Sequence, residues 1–180
     1  MKKLFFAAGI VCLLAACETK YYSVLITNES SKTVSYTYND VSDTLPPYNP
    51  SQDPSEYSKT YEVEAYTMPP KNIKDENGIA SIEMNRDGDN FIFKDATPIG
   101  MNIRNALPDE VKRIKAGNYI SYNGSFLVSV PGGETISDEL YIYTNKPDFS
   151  LEADNGIIEP SYSVTFKWTI NKNKMFVTIK

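Results

Sequence analysis

The clearest strand pattern in the chain is "SVTFKWTI", Ser163 to Ile170. Apolar and polar residues alternate along it without interruption. Alternation with a period of two places the two sets on opposite faces of a β-strand. The apolar set is Val164, Phe166, Trp168 and Ile170. The stretch therefore predicts a strand with one fully apolar face.

Similar strand-like runs recur through the rest of the chain. The clearest are "YYSVLIT" (Tyr21–Thr27), "KTVSYTY" (Lys32–Tyr38), "KTYEVEAYTM" (Lys59–Met68) and "KMFVTIK" (Lys174–Lys180). The short polar link "NESS" between the first two predicts a β-hairpin. We interpret the weak likeness of Tyr21–Thr27 to Ser161–Ile170 as strand composition rather than a repeat.

A second hairpin is predicted at Asp87-Gly88, between the runs "GIASIEM" and "NFIFK". Glycine accepts the positive φ that a tight turn requires. Many short strands separated by turns favour an all-β fold, specifically an antiparallel, immunoglobulin-like β-sandwich. A closed soluble barrel is the alternative.

Two segments interrupt the strand pattern. "NALPDEVKRIKAGN", Asn105 to Asn118, predicts one short helix near residues 106–116, with acidic residues in its first turn and basic residues in its last. Val111 and Ile114, three residues apart, are its expected anchors. Ser42 to Ser58 contains four prolines and predicts a long loop whose functional role is open.

Composition excludes several functions. The chain has 180 residues, a formal net charge of −5 and no histidine. Its basic residues are scattered, which argues against nucleic acid as a partner. Without histidine there is no Ser-His-Asp triad and no histidine metal ligand. We therefore expect no enzymatic activity, no metal and no dissociable cofactor.

The N-terminus combines a basic start with a short apolar run. Lys2-Lys3 precede the run Leu4–Ala16, and Cys17 follows it. This order is typical of a secretory signal and is too short for a membrane span. The other cysteine, Cys12, lies inside the apolar run.

The stretch "LAAC", Leu14-Ala15-Ala16-Cys17, resembles the lipobox of bacterial lipoproteins. The resemblance covers residues 1–17. It implies cleavage between Ala16 and Cys17, with diacylglycerol on the Cys17 thiol and an acyl chain on its new amino group. Two or three acyl chains make such an anchor effectively permanent.

This resemblance sets the expected organisation. Residues 1–16 are a cleaved signal peptide, residues 17–20 a lipid-anchored tether, and residues 21–180 a single β-sandwich domain. The implied partner is a membrane of the bacterial cell envelope, with the outer membrane favoured. The expected role is non-catalytic binding or structure, with an envelope protein or glycan as a further partner.

The sequence leaves two alternative functions open, a carbohydrate-binding module and a glycan hydrolase. Exposed tyrosines stack on sugars in carbohydrate-binding modules, and Tyr36, Tyr38, Tyr48 and Tyr57 are the candidate surface. A carboxylate-dependent glycan hydrolase requires two acidic groups about 5–10 Å apart in a cleft.

"NRDGDN", Asn85 to Asn90, resembles a calcium loop but departs from the EF-hand spacing.

Overall fold

The computed structural model describes residues 20–64 and 68–180, and these form an all-β, sandwich-like fold. The first seven strands are β1 Tyr22–Asn28, β2 Val34–Tyr38, β3 Val41–Leu45, β4 Ser58–Val63, β5 Lys71–Asp75, β6 Ile82–Asp87 and β7 Asn90–Asp95. The next nine are β8 Ile99–Asn105, β9 Val111–Lys115, β10 Ile120–Tyr122, β11 Val128–Val130, β12 Thr135–Ile136, β13 Leu140–Ile142, β14 Ser150–Leu151, β15 Phe166–Asn171 and β16 Lys174–Ile179. The prediction of an all-β sandwich is confirmed. Within the described ranges, the 3-10 turn Pro54–Glu56 is the only helical segment.

The strands pair in two separate sets. The first strand set, β1 to β7, forms a four-stranded sheet in the order β4-β1-β7-β6 and a three-stranded sheet in the order β3-β2-β5. The second strand set, β8 to β16, forms a large sheet in the order β10-β13-β8-β16-β15, with β12 also on β8, and a small sheet β11-β9-β14. Among the described residues, no strand of one set pairs with a strand of the other.

Each strand set encloses its own hydrophobic cluster. Ile26 and Phe93 are fully buried in the first cluster, while Met101 and Ile103 are fully buried in the second. Both clusters contain residues from the large and the small sheet of their set, as face-to-face sheets require. That residues 21–180 form a single domain stays a prediction. The buried apolar side chains of the described residues form two separate hydrophobic clusters.

The two strand sets share one connectivity. In each, the opening strand pairs in parallel with the closing strand, β1 with β7 and β8 with β16. Each closing strand forms a hairpin with the strand before it, and β2 and β9 each occupy the centre of a three-stranded sheet. The chain is thus a structural tandem repeat, which the sequence pattern did not predict. This order differs from the immunoglobulin arrangement, in which the second strand pairs with the first and fifth.

A buried asparagine ends the first strand of the first set. Asn28 Nδ2 donates to the carbonyls of Lys32 (2.8 Å) and Pro46 (2.6 Å). Its Oδ1 accepts from the backbone N–H of Ser30 (3.0 Å). These bonds hold residues 28–34 where the chain crosses from the four-stranded sheet to the three-stranded sheet. The predicted hairpin of Tyr21–Thr27 with Lys32–Tyr38 is therefore wrong, because β1 and β2 lie in different sheets.

Asn105 makes the same contacts in the second set. Its Nδ2 donates to the carbonyls of Asp109 (2.7 Å) and Val130 (3.0 Å), and its Oδ1 accepts from the backbone of Leu107 (3.0 Å). Asn105 and Asn28 are both fully buried. We call these two residues the clamp asparagines. They occupy equivalent positions and connect equivalent strands.

The predicted helix near residues 106–116 is wrong, because Val111–Lys115 forms strand β9. Val111 lies opposite Val130 and Ile114 opposite Val128, so β9 carries one extra residue between the two pairs. Arg113, in this bulge, has a φ of 52°. The bulge turns both Val111 and Ile114 toward the core, and this produces the three-residue spacing that resembles a helix.

Other local predictions have mixed outcomes. The hairpin at Asp87-Gly88 is confirmed, since Asp87 pairs with Asn90 and Gly88 has a φ of 60°. The predicted loop Ser42–Ser58 begins inside strand β3, so its irregular part starts after Leu45. The stretch Ser163–Ile170 contains most of edge strand β15, but its apolar face is only partly covered. Trp168 and Ile170 there remain 39% and 38% exposed.

The clamp asparagines give a paired test of the fold. We expect Asn28→Ala and Asn105→Ala each to lower the free energy of unfolding by about 2 kcal/mol or more, because buried carbonyls lose their donors. Urea denaturation followed by circular dichroism measures this change. Asn49→Ala is the control, since the Asn49 side chain makes one exposed contact to Ser51. Equal stability of all three variants would contradict the role assigned to the clamp.

Candidate functional site

The lipidation and cleavage residues Ala16 and Cys17 lie outside the described residues. The structure first describes the chain at Lys20, and β1 begins at Tyr22. Tyr21 already contacts the fold, since its hydroxyl donates to Glu64 Oε1 at 3.1 Å.

The four predicted surface tyrosines do not form one surface. Tyr36 and Tyr38 are 2% and 1% exposed, so as surface residues they are wrong. Both point inward from β2 and pack against aromatic rings of the first core. Tyr57 is also buried, with its ring edge-on to Tyr48 at a centroid distance of 5.1 Å. Tyr48 alone of the four is exposed.

Tyr36 belongs to a polar network at one edge of the first strand set. Its hydroxyl lies 2.8 Å from that of Tyr61, which donates to Asp43 Oδ2 at 3.0 Å. Lys59 forms an ion pair with the same carboxylate. Burial and hydrogen bonds to Tyr36 and Asp43 raise the pKa of Tyr61 well above its ordinary value, so the phenol stays protonated at neutral pH. The network joins the two sheets and offers no activated nucleophile.

Acid should weaken this network. Burial opposes ionisation of Asp43, but hydrogen bonds from Lys59, Thr44 and Tyr61 prevail and hold its pKa below the ordinary 3.8. A lowered folded-state pKa stabilises the fold above the unfolded value, and that contribution is lost as the pH falls through the folded value. We expect Asp43→Asn to lose less unfolding free energy than the wild type between about pH 5 and pH 3.

Urea denaturation across that pH range measures the effect. Asp40→Asn is the control, because Asp40 lies next to the same strand pair in an exposed turn. If Asp43→Asn and the wild type lose stability in parallel, the ionised carboxylate does not stabilise the fold.

A second polar cluster combines a serine, a lysine and an aspartate. Lys32 Nζ donates to Ser81 Oγ (2.7 Å) and pairs with Asp75 Oδ2 (3.3 Å), while Ser81 Oγ donates to Asp75 Oδ2 (2.6 Å). A serine beside a lysine is also the arrangement of some hydrolases. Here Ser81 is 1% exposed and directs its proton to Asp75. Asp75 Oδ1 further accepts from the backbone N–H of Ile79 (2.9 Å), so the cluster fixes the turn between β5 and β6.

Removing the lysine tests this structural interpretation. We expect Lys32→Met to lower the free energy of unfolding by about 3 kcal/mol, because Asp75, which is 2% exposed at its side chain, keeps its hydrogen bonds but becomes a buried charge without its cation. Thermal and urea denaturation measure the loss. Lys94→Met, which breaks the exposed pair with Glu29, should cost about 1 kcal/mol or less. Similar losses for both variants would contradict this account.

A groove of about 420 Å³ lies where the two strand sets meet. Asn118 connects them, since its carbonyl accepts from Ala80 N–H (2.8 Å) and its Nδ2 donates to the Gly78 carbonyl (3.0 Å). Tyr119 and Tyr143 line one side of the groove. Its remaining lining mixes polar and aliphatic side chains with the charged side chains of Lys71 and Glu83.

Another cavity, of about 330 Å³, lies on the outer side of β9. Glu152 accepts from Arg113 (2.6 Å) and Lys115 (2.7 Å), and these hydrogen bonds lower its pKa below the ordinary value. Lys112 pairs with Glu159 at 2.8 Å. Glu152 and Glu159 are each paired with a neighbouring cation, whereas Asp154, which also lines the cavity, forms no ion pair among the described residues.

The residues required by the metal and hydrolase hypotheses are not brought together in the described part of the chain. Residues 20–64 and 68–180 contain no group of three or more acidic, histidine or cysteine residues placed to hold a metal ion. The calcium-like loop Asn85–Asn90 is a hairpin turn in which Asp89 lies 3.5 Å from Arg86. Asp75 is the one buried carboxylate of the described chain.

The outward face of the second large sheet is an exposed surface that sequence reasoning missed. Phe176 is 42% exposed there, between Asn102 on β8 and Thr169 on β15. Tyr141, 41% exposed, projects from the same face of β13. The alternation of β16 already places Phe176 opposite the core positions, but only the strand order shows which side chains surround it.

Comparisons with known proteins add no family assignment. No protein-family model matches the chain, and a search of the curated proteins finds no match. Within the described residues, no helix has the length and apolar character needed to cross a membrane.

Proposed function

We propose that this protein is a lipid-anchored component of the bacterial cell envelope with a non-catalytic binding or structural role. The observation that carries the proposal is the stretch Leu14-Ala15-Ala16-Cys17 behind a basic and apolar N-terminus. In the proposed mature protein, the Cys17 thiol carries diacylglycerol and its amino group an acyl chain. The outer membrane is the favoured location.

The position of β1 supports a short connection between lipid and fold. Tyr21 contacts Glu64, so the chain joins the fold four residue steps after Cys17. An extended chain spans at most about 3.5 Å per residue, which places Tyr21 within about 14 Å of the lipid-bearing cysteine. The first strand set would then lie close to the membrane surface.

Two exposed tyrosines at this entry fit the proposed location. Tyr21 and Tyr22 are 61% and 48% exposed. Tyrosine has an apolar ring and a polar hydroxyl, and it is favoured at the interface between lipid and water. These rings would therefore rest among the lipid headgroups beside the anchor.

The polar clusters support a role without catalysis. Ser81 and Asp75 are buried and hydrogen-bonded to each other, and burial and hydrogen bonding raise the pKa of Tyr61 rather than lowering it as activation of the phenol would require. These groups stabilise loops and sheet edges. A binding or structural role requires only the exposed faces of the two strand sets, with an envelope protein or a glycan as partner.

Lipid attachment has a direct test in a bacterial host. We expect the wild type to begin at Cys17, to carry the mass of its acyl chains, and to partition into the detergent phase of a cloud-point separation. Cys17→Ser should lack the acyl mass and leave the detergent phase. Intact mass spectrometry and immunoblotting of both phases provide the measurements.

Cys12→Ser is the matched control, since it removes the other cysteine of the chain and leaves the lipobox intact. It should behave as the wild type does. A water-soluble wild type that begins at Glu18 or later would overturn the proposal, whatever the variants do.

A further inference from the structure

The outward face of the second large sheet carries positive charge without negative charge. Strand pairing places twelve side-chain positions on it: Gly100, Asn102, Arg104, Ser121, Thr135, Tyr141, Lys167, Thr169, Asn171, Lys174, Phe176 and Thr178. Three are cations and none is a carboxylate, which gives a formal charge of +3. The acidic residue nearest in sequence is Glu134, directly before Thr135, and Asp138 and Glu139 precede β13. We call these twelve positions the basic face.

The equivalent face of the first strand set has the opposite sign. Its outward positions are Ser23, Leu25, Thr27, Ser58, Thr60, Glu62, Glu83, Asn85, Asp87, Asn90, Ile92 and Lys94. One cation and three carboxylates give a formal charge of −2. The same strand arrangement thus carries an acidic outward face in the first strand set. The positive charge of the basic face is therefore not a requirement of the fold. The chain as a whole is acidic, with a formal charge of −5.

The three cations of the basic face are exposed and have no ion-pair partner among the described residues. Arg104 and Lys167 lie on either side of β16, about 10 Å apart at the strand spacing. Lys174 lies about 13 Å further along the same face. On the first set, by contrast, Lys94 is paired with Glu29 at 3.3 Å.

Aromatic rings lie among these cations. Ile179 on β16 and Phe93 on β7 are equivalent, because each pairs with a clamp asparagine. Phe176 lies three residues before Ile179, and Asn90 lies three residues before Phe93. Phe176 and Asn90 therefore occupy equivalent positions. Tyr141 faces Gly100, which has no side chain to fill the space above β8. The equivalent pair in the first set is Glu62 with Ser23. Where the first set has polar side chains at these two positions, the second has two exposed aromatic rings.

We propose that the basic face binds an acidic polysaccharide, a chain of carboxylated or sulfated sugars. The cations complement its anionic groups, the rings of Phe176 and Tyr141 pack on the apolar faces of its sugars, and the amides and hydroxyls between them bond its hydroxyls. A flat face with cations about 10–13 Å apart fits an extended polymer rather than one small ion. The inference rests on the proposed binding role and is independent of the lipid anchor.

Binding to polygalacturonate at low ionic strength tests the proposal, using the full-length protein purified in an uncharged detergent. We expect a dissociation constant that rises with salt. The triple variant Arg104→Gln/Lys167→Gln/Lys174→Gln should bind about tenfold more weakly or worse. Phe176→Ala should bind about three- to tenfold more weakly. Isothermal titration calorimetry gives each constant, and circular dichroism checks each fold.

Matched controls separate the face from the net charge. Lys20→Gln/Lys71→Gln/Lys146→Gln removes the same charge elsewhere, and Tyr48→Ala removes an exposed ring elsewhere; both should bind as the wild type does. Equal weakening by the two triple variants would overturn the proposal, as would a wild type that does not bind. Equal affinity for neutral dextran or for duplex DNA would also overturn it. Competition by glycerol phosphate but not by galacturonate oligomers would assign the face to phospholipid headgroups instead.

Because purification in detergent does not require the anchor, the two proposals fail separately. An unlipidated wild type that still binds polygalacturonate through the basic face would overturn only the anchor.

Discussion

The fold depends on the buried amide of a clamp asparagine at the end of each opening strand. Backbone carbonyls in the crossing between two sheets cannot reach a sheet partner, and a buried carbonyl without a donor is costly. Asn28 and Asn105 each donate to one such carbonyl, that of Lys32 or Asp109, and to a second carbonyl at the end of β3 or β11. Each also accepts a bond from the following turn. This interaction sets where the chain leaves one sheet for the other.

One scaffold used twice makes the two surfaces directly comparable. Apart from the clamp asparagines and the polar network of Lys59, the inward positions of the paired large-sheet strands are predominantly apolar in both strand sets, because both sets must fill a core between two sheets. The outward positions are under no such constraint, and there the two sets differ in sign of charge and in aromatic content. Comparing the two strand sets thus separates the residues that the fold requires from those that the proposed binding surface requires. Phe176, Arg104 and Lys174 are residues of the proposed binding surface.

The polar clusters illustrate why residue type alone is a poor guide to chemistry. Ser81, Lys32 and Asp75 have the composition of a nucleophile with its base, and Tyr61 with Asp43 pairs a phenol with a carboxylate. Burial and hydrogen-bond direction give both groups a structural role. The tyrosines Tyr36 and Tyr38 make the same point. Their alternation was visible in the sequence, but the side of the sheet that faces water was not.

Local sequence patterns were enough to predict the β class, the alternation of β16 and the turn at Gly88, and to show the likeness of Leu14-Ala15-Ala16-Cys17 to a lipobox. These features are encoded within a few neighbouring residues, by strand periodicity, backbone conformation or a short motif. The tertiary structure decided the sheet of each strand, the strand conformation of Val111–Lys115 and the residues of the basic face. Arg104, Lys167 and Lys174 come together only because β8 pairs with β16 and β16 with β15. Such pairings depend on contacts between distant segments, which a local pattern does not specify.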